Sequence, residues 1–438
     1  MDQTEALIIE TIDRHREEIL EFARDIYSHA ELGYKEFQTS GKFVKKMEQL
    51  GLRTEKGFAI TGVKAYLNED KKENASLALL GELDALRIPE HAFANPETNA
   101  AHCCGHHAQM AGVFGAALAL TVPEIAEKLD GQVVFFATPA EEYGEIEFKN
   151  QLREQGKIRY GGGKCELLRI GAFDDIDLCL THHIRPGNEI LVGSGTGNGF
   201  VSKVIRVLGK ASHAAGAPEK GVNALSAASL GLQALGLNRE TFRDEDCVRV
   251  HPIITKGGNL VNVIPDEVVV ETLVRGKTIE AFTDAAKKTD RSFKAGAIAM
   301  GAKVEISTLP GYLPTLAEEA LPELKHAAEI SASGLPVIEA SGHAGGSTDV
   351  GDVQHLMPVY TFNTGGVKGG LHQIDFEVTD EEEAYIVTAK MFALAAYGLL
   401  KEKAQRSREL VDQYEPVFKN SAEYVEFMEQ FDSKEIFE

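Results

Sequence analysis

SLALLGEL (76–83), QVVFFAT (132–138) and DLCLTHH (177–183) are short apolar runs without a helical period. Runs of this length, rich in branched and aromatic residues, suit strands buried on both faces. Between the first two lies AQMAGVFGAALALTV (108–122), small and apolar on most sides, the composition of a helix packed against a sheet. This alternation spells an α/β domain with a mainly parallel sheet and helices on both faces.

Upstream, the first 55 residues read as helices, with Leu7, Ile8, Ile12, Ile19, Leu20 and Phe22 near helical spacing. His29-Ala-Glu-Leu-Gly33 interrupts that pattern and Glu36 to Leu50 resumes it. Downstream, VSKVIRVLG (201–209) reads as a strand, VNALSAASLGLQALG (222–236) as a helix, and VRVHPIITK (248–256) and EVVVETLVRG (267–276) as strands. IEAFTDAAKKTDRSFKAGAIAM (279–300) is a helix and AKVEISTLP (302–310) a strand. The order βαββαβ is that of a ferredoxin-like α+β sandwich. The expected organisation is an α/β domain in two segments, 1–194 and 312–438, with the small domain, 195–311, inserted between them. The last 38 residues read as helical and amphipathic.

The chain has 438 residues, 45 basic and 67 acidic, for a formal charge of −22. That charge argues against nucleic acid and against an anionic membrane face as partners. No apolar run approaches the roughly 18 residues of a bilayer span. The acidic N-terminus lacks the basic and apolar regions of a secretory signal. Five cysteines, odd in number and sparse, do not look like a disulfide framework. The expectation is a cytoplasmic protein acting on a small molecule.

Four clusters could carry chemistry, three of them at predicted element ends, where open α/β sheets form their sites. They are Ala101-His102-Cys103-Cys104-Gly105-His106-His107, Thr138-Pro139-Ala140-Glu141-Glu142, Thr181-His182-His183-Ile184-Arg185-Pro186 and Gly369-Gly370-Leu371-His372. A divalent transition metal takes imidazole, thiolate and carboxylate ligands. In an extended loop Cys104 and His106 project to the same side, and Glu141 and Glu142 to opposite sides. One glutamate then binds metal while its neighbour holds a water. Cys104, His106, Glu142, His183 and His372 make five ligands, enough for two ions sharing a bridge. Singly, each cluster has an ordinary reading: adjacent histidines in a core, a solvated glutamate turn, a buried cysteine. Their joint placement favours metal. Gly161-Gly162-Gly163-Lys164 lacks the glycine spacing and the following Ser or Thr of a phosphate loop. No G-x-S-x-G elbow is present.

The segments Gly81-Glu-Leu-Asp84-Ala-Leu, His102-Cys-Cys-Gly-His106, Pro139-Ala-Glu-Glu142 and His183-Ile-Arg-Pro186 resemble the metal-dependent aminoacylase/carboxypeptidase family. The closest branch is that of the amino-acid-conjugate hydrolases and the aminobenzoyl-glutamate hydrolase B subunit. Ser347-Thr-Asp-Val-Gly-Asp352, Gly257-Gly-Asn259 and Asn262-Val-Ile-Pro265 are similar to the same branch. The resemblance implies a catalytic domain with a dinuclear site, and a ferredoxin-like lid domain that forms a homodimer. It implies two divalent ions, zinc or manganese ahead of cobalt or nickel, with Cys104 bridging and His106, Glu142, His183 and His372 completing the ligand set. It makes Glu141 the general base, His213 the histidine that reaches the scissile carbonyl, and Asn262 and Arg275 the residues that hold a substrate carboxylate. The implied reaction is hydrolysis of N-acyl or N-aroyl amino acids, or of short dipeptide-like amides, by metal-activated water. Two departures stand out: His107 where the family usually has aspartate, and Arg87 where it has proline. Two rival functions remain: a metal-free hydrolase using Cys104, and a non-catalytic binding or assembly subunit.

Overall fold

In the computed structural model, which describes residues 1–331 and 334–438, the three apolar runs are strands. In chain order the strands used below are β1 (Arg53–Phe58), β2 (Gly62–Leu67), β3 (Ser76–Glu82), β4 (Gln132–Thr138), β5 (Leu178–Ile184), β6 (Ile190–Val192), β7 (Gly199–Leu208), β8 (Arg249–Lys256), β9 (Glu267–Gly276), β10 (Lys303–Tyr312), β11 (Val337–Glu339), β12 (Val359–Thr364) and β13 (Ser433–Phe437). The helices are α1 (Gln3–Arg14), α2 (Arg16–Ser28), α3 (Phe37–Gln49), α4 (His106–Leu120), α5 (Gly163–Arg169), α6 (Ala224–Asn238), α7 (Ile279–Met300), α8 (Thr388–Gln413) and α9 (Ser421–Glu429).

The chain forms two compact units. The first comprises Met1–Gly195, Leu316–Gly342 and Asp352–Ser421. Its eight-stranded sheet runs β1-β2-β4-β3-β5-β12-β6-β11. The central pairs β4/β3, β3/β5 and β5/β12 are parallel, so their C-terminal ends share one edge. Every residue of β3 and β4 is buried, as both-face coverage requires. Helix α4 is apolar all round, and all 15 of its residues are buried. It meets α8 closely through glycines: a Cβ on Gly112 would lie 2.5 Å from Thr388 Cγ2, and one on Gly115 2.5 Å from Ala389 Cβ. The helical stretch Glu382–Gln413 is long and apolar enough to cross a membrane by composition, but 94% of its apolar window is buried in this core.

The second unit comprises Thr196–Thr315, His343–Gly351 and Ala422–Glu438. Its antiparallel sheet runs β8-β9-β7-β10-β13. The first four of these strands have the order of a ferredoxin-like sandwich. Alternate residues of β9 are buried, with Val268, Val270 and Val274 packed among Phe282, Phe293 and Ala228 of α7 and α6. Two segments lie outside the three-segment division read from sequence. His343–Gly351 and the C-terminal tail both belong to the second unit. The tail is not helical throughout: α9 is followed by β13, which pairs with the edge of β10 from Val304↔Phe437 to Thr308↔Ser433. An edge strand is held by main-chain pairing, so its side chains need little apolar pattern to specify it.

Candidate active site

The site gathers at the C-terminal ends of the parallel strands β3, β4 and β5 and at the N-terminus of α4. Cys104 Sγ lies 3.3 Å from His183 Nε2 and 3.3 Å from His372 Nε2. Two groups of donors share it: Cys104, His106 and His183, and Cys104, Glu142 and His372, each with ligand atoms within 4.8 Å of one another. The five expected ligands are therefore brought together. Cys104 and His106 do not converge by strand alternation as expected. Gly105 turns the chain at φ 83°, and α4 begins at His106. No side chain fits there, because a Cβ on Gly105 would lie 2.0 Å from Ile184 Cγ2.

The duplicated residues are sorted by burial. Cys103 lies in the apolar core. His182 turns inward, with Nε2 2.8 Å from Thr364 Oγ1. His183 fixes Nδ1 on the carbonyl of Ile184 at 2.8 Å, which leaves Nε2 to face Cys104. His106 does the same through the Asp84 carbonyl at 2.9 Å. A ring nitrogen anchored on a carbonyl is the usual support of a metal-binding imidazole. His372 sits in the left-handed region at φ 62°, pinned by its amide on the Cys103 carbonyl at 3.0 Å. Its Nε2 is 3.0 Å from Glu142 Oε1.

Glu141 and Glu142 face different partners. Glu141 Oε2 is 3.9 Å from His106 Nε2, and it groups with Glu82 and His106. Three buried carboxylate oxygens accept the consecutive amides of this turn. Glu36 Oε1 takes Ala140 N at 2.8 Å, Asp84 Oδ1 takes Glu141 N at 3.2 Å, and Asp84 Oδ2 takes Glu142 N at 2.9 Å. Gly163 N donates to the Ala140 carbonyl at 2.9 Å, and a Cβ on Gly163 would lie 1.6 Å from Pro139 O. The glycine run that resembled a phosphate loop thus clamps the glutamate turn. His29-Ala-Glu-Leu-Gly33 contributes as well, since the Glu31 carbonyl accepts Ala85 N at 2.8 Å and its carboxylate caps α3 at Thr39 N, 2.9 Å.

Electrostatically the site is a buried pool of negative charge. Burial alone would lower the His106 imidazole, but Glu82 and Cys104 carry it well above its ordinary value. Burial, then Glu142, pushes the Cys104 thiol well up. Burial also raises the Glu142 carboxyl, and the contact with His372 more than reverses this. His106 Nε2 is buried and makes no hydrogen bond among the described residues. Thiol, imidazole and carboxylate donors around an unsatisfied inward nitrogen fit a transition-metal centre.

The sequence profile of peptidase family M20/M25/M40 matches residues 78–397. The chain belongs to this family. The Xaa-Arg dipeptidase of Mus musculus is 27% identical to this M20 chain over 408 residues, 90% of this chain and 85% of that protein. The B subunit of the p-aminobenzoyl-glutamate hydrolase of Escherichia coli (strain K12) is 27% identical over 315 residues, 70% of this chain and 60% of its own. Among solved structures, a dinuclear metal-binding M20 peptidase from Bacillus subtilis has a TM-score of 0.62 and 24% identity, covering 89% of this chain and 99% of its own. That likeness establishes the fold. The M20 chain is a metal-dependent hydrolase of amide or peptide bonds.

The remaining expected residues of the M20 chain lie in the second unit. His213 pairs with Val263, and Ala214 N donates to the Asn262 carbonyl at 3.0 Å, so His213 and Asn262 are neighbours. His213 Nδ1 accepts the amides of Ala215 and Gly216 at 3.2 and 2.9 Å, which leaves the proton on Nε2. Arg275, on β9, donates to Ser347 Oγ at 3.2 Å. His107 points into the core, its Nε2 3.1 Å from the Tyr385 hydroxyl. Burial, then His106, lowers it to about 3, so it is neutral. Asp84 supports His106 in its place. Sequence reasoning missed the roles of Asp84, Glu36, Glu82, Gln109 and Lys164. Only Asp84 and Glu82 left a signal, as acidic residues at the end of a buried strand.

Proposed function

We propose that this chain hydrolyses the amide joining an acyl or aroyl group to an amino acid, or a short dipeptide-like bond, with two divalent ions. One observation carries the reading: Cys104 belongs to both donor groups, as a bridging ligand must. Cys104, His106 and His183 would hold one ion, and Cys104, Glu142 and His372 the other. The donor set suits zinc or manganese, with cobalt or nickel as alternatives. When bound, the ions polarise a carbonyl and bring the pKa of water toward neutrality.

The rest is done by side chains. Glu141 takes the proton of the attacking water and passes it to the leaving amine. His213, with its proton on Nε2, donates to the oxyanion of the tetrahedral intermediate. Arg275 and Asn262 hold the substrate carboxylate, the guanidinium by a two-pronged contact. The substrate class is supported by the names of two relatives, a dipeptidase and a p-aminobenzoyl-glutamate hydrolase. The working unit is a homodimer through the lid unit, where Ile253, Ile254, Leu260 and Val261 are exposed on and just after the edge strand β8. It acts in the cytoplasm on small molecules, without nucleic acid or membrane.

Two rivals are tested by the same experiment. A cysteine nucleophile needs a lowered thiol pKa, and Cys104 is displaced the other way. A pure binding protein has no use for Glu141 beside His106. Metal analysis of protein purified without chelator, with turnover of a panel of N-acyl amino acids in added manganese or zinc, decides. About two ions per chain and metal-dependent turnover support the proposal. No ions with chelator-insensitive turnover favours the cysteine enzyme, and ions without turnover the binding protein.

A further inference from the structure

We propose that Glu82 is a sixth metal donor, a one-oxygen carboxylate ligand that completes the His106 side of the centre. The inference rests on the dinuclear reading above and adds a residue to it. Glu82 Oε2 lies 3.1 Å from His106 Nε2. Two donors bound to one ion at 2.0–2.2 Å stand about 2.8–3.6 Å apart for angles between 90° and the tetrahedral value. His106 has committed Nδ1 to the Asp84 carbonyl, so Nε2 is the nitrogen left to face the Glu82 carboxylate oxygen. Two acceptors hold that distance only across a cation or a proton.

The surroundings of Glu82 fix it in this pose. It ends β3, and its side chain is 4% exposed. Oε1 is held by Lys164 Nζ at 2.5 Å, and Lys164 is fully buried. Oε2 accepts Gln109 Nε2 at 2.8 Å, while the Glu82 amide donates back to Gln109 Oε1 at 2.8 Å. With Oε1 committed to Lys164, only Oε2 is left for an ion. A buried carboxylate is costly without a paired charge, and Lys164 supplies that charge without entering the donor set. Glu82 falls in a third donor group with His106 and Glu141, and His106 joins that group to Cys104 and His183. The group Cys104, Glu142 and His372 keeps three, with a place left for water and substrate.

The test is ion retention. Protein loaded with manganese is challenged with graded chelator, and metal is counted per folded chain. Manganese magnetic resonance separates coupled pairs from single ions. The wild type should hold two ions as a coupled pair. Glu82→Gln should release one of them at chelator levels at least tenfold lower, leaving a single-ion spectrum. Because this change strands the buried Lys164 charge, Glu82→Gln/Lys164→Met is made as well, and should lose the same ion from a neutral, repacked pair. Lys164→Met alone, which keeps the donor, should retain both ions. Two ions with wild-type chelator resistance in both Glu82 variants overturn the inference and leave the dinuclear reading standing. Equal ion loss from Lys164→Met and Glu82→Gln also overturns it, because the pair is then only a pillar of the fold. A wild type that takes up no ions overturns the proposed function and this inference together.

Discussion

Asp84 Oδ2 accepts the main-chain amide of Glu142 at 2.9 Å. The same carboxylate takes the Glu141 amide, and the Asp84 carbonyl anchors His106. One residue therefore sets the directions of the proposed base and of two proposed ligands. Asp84→Asn offers one acceptor and one donor to two N–H groups, so one buried amide loses its partner. A buried donor left unsatisfied costs about 1–3 kcal/mol. The variant should melt earlier and lose about tenfold or more in kcat, with KM little changed. Wild-type kcat in Asp84→Asn would show that the turn holds its shape without this carboxylate.

Adjacent glutamates with different neighbours should fail in different ways. Glu141 lies beside His106, whereas Glu142 contacts His372. Glu141→Gln should lower turnover by about 10²–10⁴-fold, the range for a lost general base, and keep its metal. Glu142→Gln should lose metal at chelator concentrations the wild type withstands. Metal counts on the two purified variants check this, and the opposite pattern would exchange the two assignments.

The legible parts of the fold were those governed by local physics. β4 is apolar and buried at every residue, β9 and α7 carry a period that burial enforces, and the ends of all three coincide with the segments read from sequence. α7 also has a side-chain cap, Thr278 on Ala281 N. The convergence of the five expected donors was legible because imidazole, thiol and carboxylate cluster at strand ends. Lys164 was not: its partner Glu82 is 82 residues away, and no local spacing joins them. β13 was missed for a similar reason. Its Ser433-Lys-Glu-Ile-Phe437 sequence is mostly exposed, and its place is set by main-chain bonds to β10.

His213 offers a donor whose tautomer is set by its own loop. The amides of Ala215 and Gly216 both point at Nδ1, so Nε2 carries the proton in the neutral ring. A donor to a developing oxyanion is worth about 2.7–4 kcal/mol, or 10²–10³ in kcat. His213→Ala should therefore lower kcat by that factor and change KM much less. Steady-state kinetics on one N-acyl amino acid suffice. A rise in KM at constant kcat would instead make His213 a ground-state binding residue.

Glu36 predicts a pH dependence of stability. It is fully buried, and burial, then Asp84, raises its carboxyl from 4.5 to about 7. Between those values the folded protein holds a proton that the unfolded chain has released. Stability then falls as pH rises through that window, with a slope set by the difference in bound protons. Each unit is worth about 1.4 kcal/mol, so the loss reaches about 3 kcal/mol above pH 7. Glu36→Gln keeps an acceptor for Ala140 N and has no charge to bury. It should match the wild type near pH 4.5 and exceed it by a few kcal/mol at pH 8. Urea unfolding of the metal-free proteins at the two pH values measures the difference. Parallel pH profiles for wild type and Glu36→Gln would mean that this carboxyl is ionised in the folded protein, and that the Thr61 and Ala140 contacts outweigh its burial.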